Sequence, residues 1–164
     1  MSRNKIISLD EMISISKENK KNGIKLVSTS GCFDILHAGH VTYLEEAKAY
    51  ADELVIMLNS DVSVRGLKGE ERPIVIEQER ATVIAGLECV DYVVLFDDAT
   101  PCRLIEEIQP DIVIKGGDYE GVHIPEMDVV ATYGGSVRYV SMVDGCSSTN
   151  IIEKIKDLAR KELL

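Results

Sequence analysis

A doubly wound α/β domain with a mostly parallel sheet is the fold this sequence predicts. Three observations carry it. Short apolar runs alternate with helical patterns from residue 25 to the end. Those runs are near-continuous rather than alternating, as strands are when helices cover both faces of a sheet. No repeat, low-complexity tract or linker divides the 164 residues, an ordinary length for one domain, so a single domain over residues 1–164 is expected.

The elements follow in order. Residues 9–22 carry Met12, Ile13 and Ile15 among Lys and Glu and run into Gly23, which predicts a peripheral helix stopped by that glycine. Residues 25–30 read as the first strand and 31–34 as a turn. Val41, Leu44, Ala47, Lys48 and Ala51 then recur at helical spacing over about 38–51. Residues 53–58 (ELVIML) are a strand. The polar, glycine-bearing stretch 59–76 predicts a mobile loop with some helix. A helix over 77–87 and a strand over 91–96 come next. Pro101 suits the first position of a helix that runs to Gln109. Residues 111–115 are a strand, 125–133 a helix ending at Gly134-Gly135, 136–141 a strand and 148–163 the last helix.

Charge and composition narrow the function. Asp and Glu number 28 against 18 Lys and Arg, a formal net charge of −10. Binding to a nucleic-acid backbone depends on clustered cations, so no nucleic-acid partner is expected. The absence of Trp and the 5% aromatic content also argue against a stacking surface for single strands. A small anionic substrate needs a few local cations and helix N-termini to override the global field. No apolar run approaches the ~20 residues that span a bilayer, and the first ten residues lack a signal-peptide core, so a cytoplasmic protein without a membrane partner is expected. Cys32, Cys89, Cys102 and Cys146 form no CxxC pair and read as reduced thiols.

In a doubly wound fold ligands bind outside the carboxyl ends of the strands. After the first strand comes Gly31-Cys32-Phe33-Asp34-Ile35-Leu36-His37-Ala38-Gly39-His40. Two histidines three apart at a helix start share a face, and Gly39 between them lets a bulky group approach the backbone. Histidine donors and the helix N-terminus favour an anion over a metal, because the HExxH pattern is absent and only His123 could supply a third imidazole. After the last strand, Gly145-Cys146-Ser147-Ser148-Thr149-Asn150 opens the C-terminal helix with free N–H groups and hydroxyls. Taken alone it reads as a cap, since Asn150 and Glu153 have capping-box spacing; beside the histidine turn a phosphate cradle gains weight. Lys115-Gly116-Gly117-Asp118-Tyr119 follows another strand. Arg65, Lys68 and Arg72 lie in the 59–76 stretch as solvated cations or as a lid over a polyphosphate. GxxxxGK[ST], GxGxxG and GxSxG are all missing. Cys32 is read as a wall residue rather than a nucleophile, since no oriented base accompanies it.

His37-Ala38-Gly39-His40 matches the HxGH signature, and Ser147-Ser148-Thr149-Asn150 resembles the second signature, of the nucleotidyltransferase superfamily that includes cytidylyltransferases and phosphopantetheine adenylyltransferase. The longer strings GCFDILHAGH, NSD (59–61), LKG (67–69), RP (72–73), VDYVV (90–94), KGGDY (115–119) and GCSSTNII (145–152) resemble the adenylyltransferases of the heptose-phosphate pathway. Those enzymes make ADP-D-glycero-β-D-manno-heptose from the heptose 1-phosphate and ATP, for lipopolysaccharide or capsule. The resemblance covers about residues 25–155. It implies a Rossmann-like fold and a homodimer. The departures are residues 121–130, where His123, Pro125 and Glu126 differ from the expected segment, as an altered sugar pocket or as neutral surface drift, and the lack of a fused sugar kinase, from which a free-standing version is expected.

The resemblance further implies attack of a phosphate monoester on the α-phosphorus of a nucleoside triphosphate, with pyrophosphate leaving. A monoester is largely dianionic near neutrality, its second pKa being about 6, so no general base is required. Positioning and charge stabilisation carry the reaction. The implied catalytic residues are His37, His40 and Lys68. The implied nucleotide site is Gly31, Cys32, Phe33, Gly39, His40, Arg72, Ser147, Ser148 and Thr149. Asp34, Asn59, Lys115, Gly116 and Asp118 would meet the acceptor or the ribose. Mg²⁺ would be held by the phosphates and water rather than by the protein. Alternatives are a CTP-dependent enzyme acting on glycerol 3-phosphate or another polyol or sugar phosphate, a non-catalytic nucleotide binder, and a thiol enzyme using Cys32.

Overall fold

A computed structural model describes residues 2–141, 143 and 145–163. Its sheet contains β1 (Leu26–Gly31), β2 (Glu53–Asn59), β3 (Tyr92–Phe96), β4 (Ile112–Gly116) and β5 (Ser136–Val140). All neighbours run parallel, in the order β3-β2-β1-β4-β5. The helices are α1 (Leu9–Asn22), α2 (Ala38–Lys48), α3 (Asp61–Lys68), α4 (Glu77–Ala85), α5 (Cys102–Ile108), α6 (Pro125–Thr132) and α7 (Ser148–Arg160).

The continuous apolar runs acquire their meaning from the two-fold period of a strand. In β2, Leu54, Ile56 and Leu58 face one layer, where Leu44 and Ala47 of α2 and Ala81, Ile84 and Ala85 of α4 pack. Val55 and Met57 face the other layer, with Met12 of α1, Leu104, Ile105 and Ile108 of α5 and Val130 of α6. Both sides are dry, so truncating the fully buried Ile56 to Ala is worth about 2–5 kcal/mol. The N-terminal apolar residues Ile6, Ile7, Leu9 and Met12 pack on this same sheet, with Ile6 bridging Val93.

Local chemistry fixes the ends of the elements. Ser8 and Glu11 form a capping box at the start of α1, and Gly23 ends it in the left-handed region at φ 72°. The stretch after β2, expected as a mobile loop with some helix, holds the eight-residue α3. Ser60 caps it by accepting from Ser63 N–H, and Val64 is its buried anchor. Pro101 sits at the N-cap of α5, one position before the expected one. The capping-box reading of Asn150 and Glu153 is corrected as well. The N-cap of α7 is Ser147, whose hydroxyl accepts from Asn150 N–H at 3.0 Å, so Asn150 is the third helical residue.

The strand order reverses between β1 and β4. The chain first steps outward from β1 to β2 and β3, then returns to lay β4 on the other side of β1. A crevice opens above that reversal, at the carboxyl ends of the strands.

Candidate active site

A cavity of about 530 Å³ fills the crevice, lined from β1, α2, α3, the β3–α5 loop, the β4 end, α6 and the start of α7. The turn from β1 to α2 supplies its centre. Phe33 and Ile35 lie in the left-handed region, at φ 46° and 55°, an uncommon conformation for bulky residues and a local strain. This bend brings His37 and His40 together. Their rings stack with centroids 3.8 Å apart and planes 22° from parallel, and Phe33 props His40 at 5.2 Å. Both rings are kept neutral. Burial pushes the His37 pKa down. Burial, then His37, then Lys68 push that of His40 down to about 4.

Gly39 sits in a gap that no side chain could enter freely. A Cβ there would lie 2.8 Å from the Cβ of Cys146 and 3.1 Å from His37 Nδ1. Its absence lets α2 and α7 start against one another, so two helix N-termini face the same crevice. Ser148 fastens them: its hydroxyl donates to the carbonyl of Asp34 and, at 3.4 Å, to that of Ile35.

The expected site residues fall into distinct roles. Gly31, Cys32, Phe33, Asp34, His37, Gly39, His40, Asn59, Lys68, Lys115, Gly116, Asp118 and Ser148 line the cavity, whereas Arg72, Ser147 and Thr149 do not. Lys68 is exposed and makes no hydrogen bond or ion pair with the described residues. Arg72 is tied instead: its Nε donates to Asp34 Oδ2 at 2.7 Å. The N–H groups of Ile74 and Val75 donate to the Asp34 carboxylate at 2.9 Å each. Asp34 is therefore a clamp on the segment after α3 rather than an open acceptor toward a ligand. Its burial works against the charge, but these donors outweigh it and hold the carboxyl below its ordinary value. Asn59 donates to Ser63 Oγ at 2.9 Å and belongs to the α3 start. Lys115 pairs with Glu126 of α6. His123 lies on the surface against Asp128 at 3.1 Å, outside the cavity.

Cys32 is buried, and that burial pushes its thiol pKa up despite the nearby Lys68, Arg80 and Arg72. A raised pKa depletes the reactive thiolate, which leaves the thiol-enzyme reading unsupported. Among the described residues, no three of His, Cys, Asp or Glu converge as a metal cluster.

One residue of the site escaped sequence reasoning. Arg80 is 2% exposed and spends its guanidinium inside the protein. It donates to the carbonyls of Cys32, Asn59 and Val75 at 2.6, 2.8 and 2.8 Å and to Asp61 at 2.8 Å. One side chain thus joins the β1 end, the β2 end and the start of α4. A lone Arg in a short helix was the available signal, but Cys32, Asn59 and Asp61 are distant in sequence. Glu126, singled out in the sequence as bearing on the sugar pocket, is 6% exposed and reaches the cavity from α6.

The fold and the paired helix starts define a nucleotidyltransferase class of architecture. Residues 28–154 match the cytidylyltransferase-like family model, and the chain belongs to that family. Among its relatives, the bifunctional protein HldE of Geotalea uraniireducens is 54% identical over 158 residues, covering 96% of this chain and 32% of that protein. HldE of Geobacter metallireducens is 55% identical over 151 residues, covering 92% and 31%. The chain spans about a third of the length of these curated relatives. A crystal structure of the lipopolysaccharide core biosynthesis protein from Thermoplasma volcanium superposes with a TM-score of 0.60 at 31% identity, covering 74% of this chain and 98% of that one. No helix among the described residues is long and apolar enough to cross a membrane.

Proposed function

We propose that this chain transfers the adenylyl group of ATP to D-glycero-β-D-manno-heptose 1-phosphate, forming ADP-heptose and pyrophosphate. One observation carries the reading: the neutral His37–His40 stack and the starts of α2 and α7 face one cavity that Lys68 enters from a third side. Family membership and the likeness to HldE and to a lipopolysaccharide core biosynthesis protein support it. The domain that acts is residues 1–164, with about 25–155 as its core, and a second copy of the chain completes a homodimer.

The acceptor phosphate is already a nucleophile at neutral pH, so the protein has to hold anions together and stabilise charge at the α-phosphorus. His40 and His37 donate to the α-phosphate and its transition state. Ser148 and the backbone N–H groups at the start of α7, which Ser147 caps, hold the β- and γ-phosphates. Lys68 approaches the leaving pyrophosphate or the incoming monoester. Arg72 contributes through Asp34, which anchors the segment beside Lys68. No cluster of metal ligands is present among the described residues, so a divalent cation such as Mg²⁺ would enter with the triphosphate and would offset part of its charge.

The test offers ATP or CTP, with Mg²⁺, to the heptose 1-phosphate or to glycerol 3-phosphate, and follows pyrophosphate in all four mixtures. Release with ATP and the heptose phosphate alone is expected. Release with CTP and glycerol 3-phosphate would keep the chemistry and replace the substrates. No release, with no stabilisation of the fold by either nucleotide, would overturn the assignment.

A further inference from the structure

We propose that Glu126 reads the nucleobase of the substrate by accepting a hydrogen bond from its exocyclic amino group. This inference rests on the nucleotidyl-transfer reading and adds what selects the nucleotide. The motivation is a carboxylate held where an anionic substrate gives it no evident purpose. Glu126 belongs to the first turn of α6, after Pro125, and is 6% exposed. Its Oε1 accepts from Lys115, whose own side chain is 13% exposed. Its Oε2 accepts from none of the described residues, and Glu126 lines the cavity. A carboxylate is an acceptor only, and the paired lysine fixes its rotamer. The ligand that meets this oxygen must bring a neutral donor; another anion would be repelled.

The two halves of the crevice differ in chemistry. On the β2 side, Lys68 is a cation without a partner among the described residues, suited to a phosphorylated acceptor. On the β4 side, the only lining cation among the described residues, Lys115, is neutralised by Glu126. Beside it stands the Tyr119 ring, 43% exposed, with Lys115 Nζ 5.6 Å from its centroid. Val143, 37% exposed, adds an apolar surface to the same cavity. A flat aromatic face, an apolar wall and a single acceptor suit a base rather than a phosphate. β4 also lies beside β1 and β5, the strands that lead to the two phosphate-facing helix starts, so the nucleoside of a triphosphate held there reaches this half.

Adenine and cytosine carry an amino donor at the relevant edge, whereas hypoxanthine, guanine and uracil carry a carbonyl there. A carbonyl facing Glu126 Oε2 would pair two acceptors. A site built around a buried polar group rejects a ligand lacking its partner far more strongly than an apolar site rejects a size change.

Binding of ATP, ITP and 2′-deoxy-ATP is measured by calorimetry without acceptor, on the full chain and on Glu126→Gln. ITP replaces the adenine amino group by a carbonyl and the adjacent N1 acceptor by an N–H, and leaves the rest of the nucleotide unchanged. The wild-type protein is expected to bind ATP at least tenfold more tightly than ITP. In Glu126→Gln the amide oxygen stays on Lys115 and the NH2 faces the cavity, so the ATP:ITP ratio should fall to about one or below. Equal wild-type affinities for ATP and ITP would overturn the inference without any variant. So would a ratio unmoved in a Glu126→Gln protein of wild-type circular dichroism, or a loss of discrimination confined to 2′-deoxy-ATP, which would assign the carboxylate to the ribose. Failure of the wild-type protein to bind ATP at all would instead remove the adenylyl-transfer reading on which the inference rests.

Discussion

The Nδ1 atoms of His37 and His40 are both sealed from solvent without a partner among the described residues, while their rings stack at 3.8 Å. The tautomer with hydrogen on Nε2 leaves no buried N–H unpaired and gives each ring one donor. Two imidazolium ions could not sit so close, and the depressed pKa values agree with that. The pair is thus a neutral, preorganised donor set, whose positive character rises only when an anion arrives. His40→Ala should therefore lower kcat by about 10²–10³ while the KM for ATP moves only a few-fold. Steady-state pyrophosphate release checks this, and unchanged turnover would take His40 out of the mechanism.

The same neutrality has a consequence for stability. In the unfolded chain a histidine protonates near pH 6.5, whereas folded His40 resists until about 4. Between those values the unfolded state binds the extra proton, so stability rises with pH and is lost on acidification. The slope from one such group is at most ~1.4 kcal/mol per pH unit. Asp34 and Asp111, held below their ordinary values, act only near pH 4 and below. Urea denaturation between pH 6.5 and 5 should show a declining midpoint in the wild-type protein and a flatter one in His40→Ala. Parallel curves would mean the ring is not held neutral.

The Asp34 clamp predicts a different phenotype. Asn at this position keeps one acceptor but turns an amide NH2 toward donors that now meet oxygen: Arg72 Nε, Ile74 N–H or Val75 N–H. Removing one partner of a buried ion pair costs about 3–5 kcal/mol. Asp34→Asn should lose stability on that scale and raise KM for the acceptor, as the segment beside Lys68 loosens. A variant with wild-type urea midpoint would show that the clamp carries no stability.

The fold was legible because a parallel sheet writes itself as apolar runs. ELVIML needs no partner to be recognised as a buried strand, and the histidine turn is contiguous in sequence. What stayed hidden depends on distant partners. Asp34 meets Arg72, Ile74 and Val75 across about forty residues, so a plausible ligand contact became a structural clamp. Arg80 reads as an ordinary helix residue until three carbonyls from separate elements converge on it. The bounds of α3 were obscured by its polar composition, although Ser60 as cap and Val64 as anchor were present.

Gly39 tests whether the close approach of the two helix starts matters for catalysis or only for packing. Two effects oppose one another in Gly39→Ala. Alanine gains up to ~1 kcal/mol of helix propensity over glycine. Overpacking costs about 1–3 kcal/mol, because the added carbon meets Cys146 Cβ at 2.8 Å, a point close to the backbone that cannot rotate away. Net stability should therefore fall by no more than about 3 kcal/mol. Activity should fall much further, since relief of the clash moves His37 or separates the starts of α2 and α7, and a misplacement of about 1 Å costs on the order of 10²-fold in rate. A second substitution isolates the cause. Cys146→Gly removes the obstructing Cβ and should restore part of kcat in the double variant, whereas Cys146→Ser keeps that carbon and should not. Wild-type kcat in Gly39→Ala, or equal rescue by Gly and Ser, would show that the phosphate site tolerates a wider gap between its helices than the geometry implies.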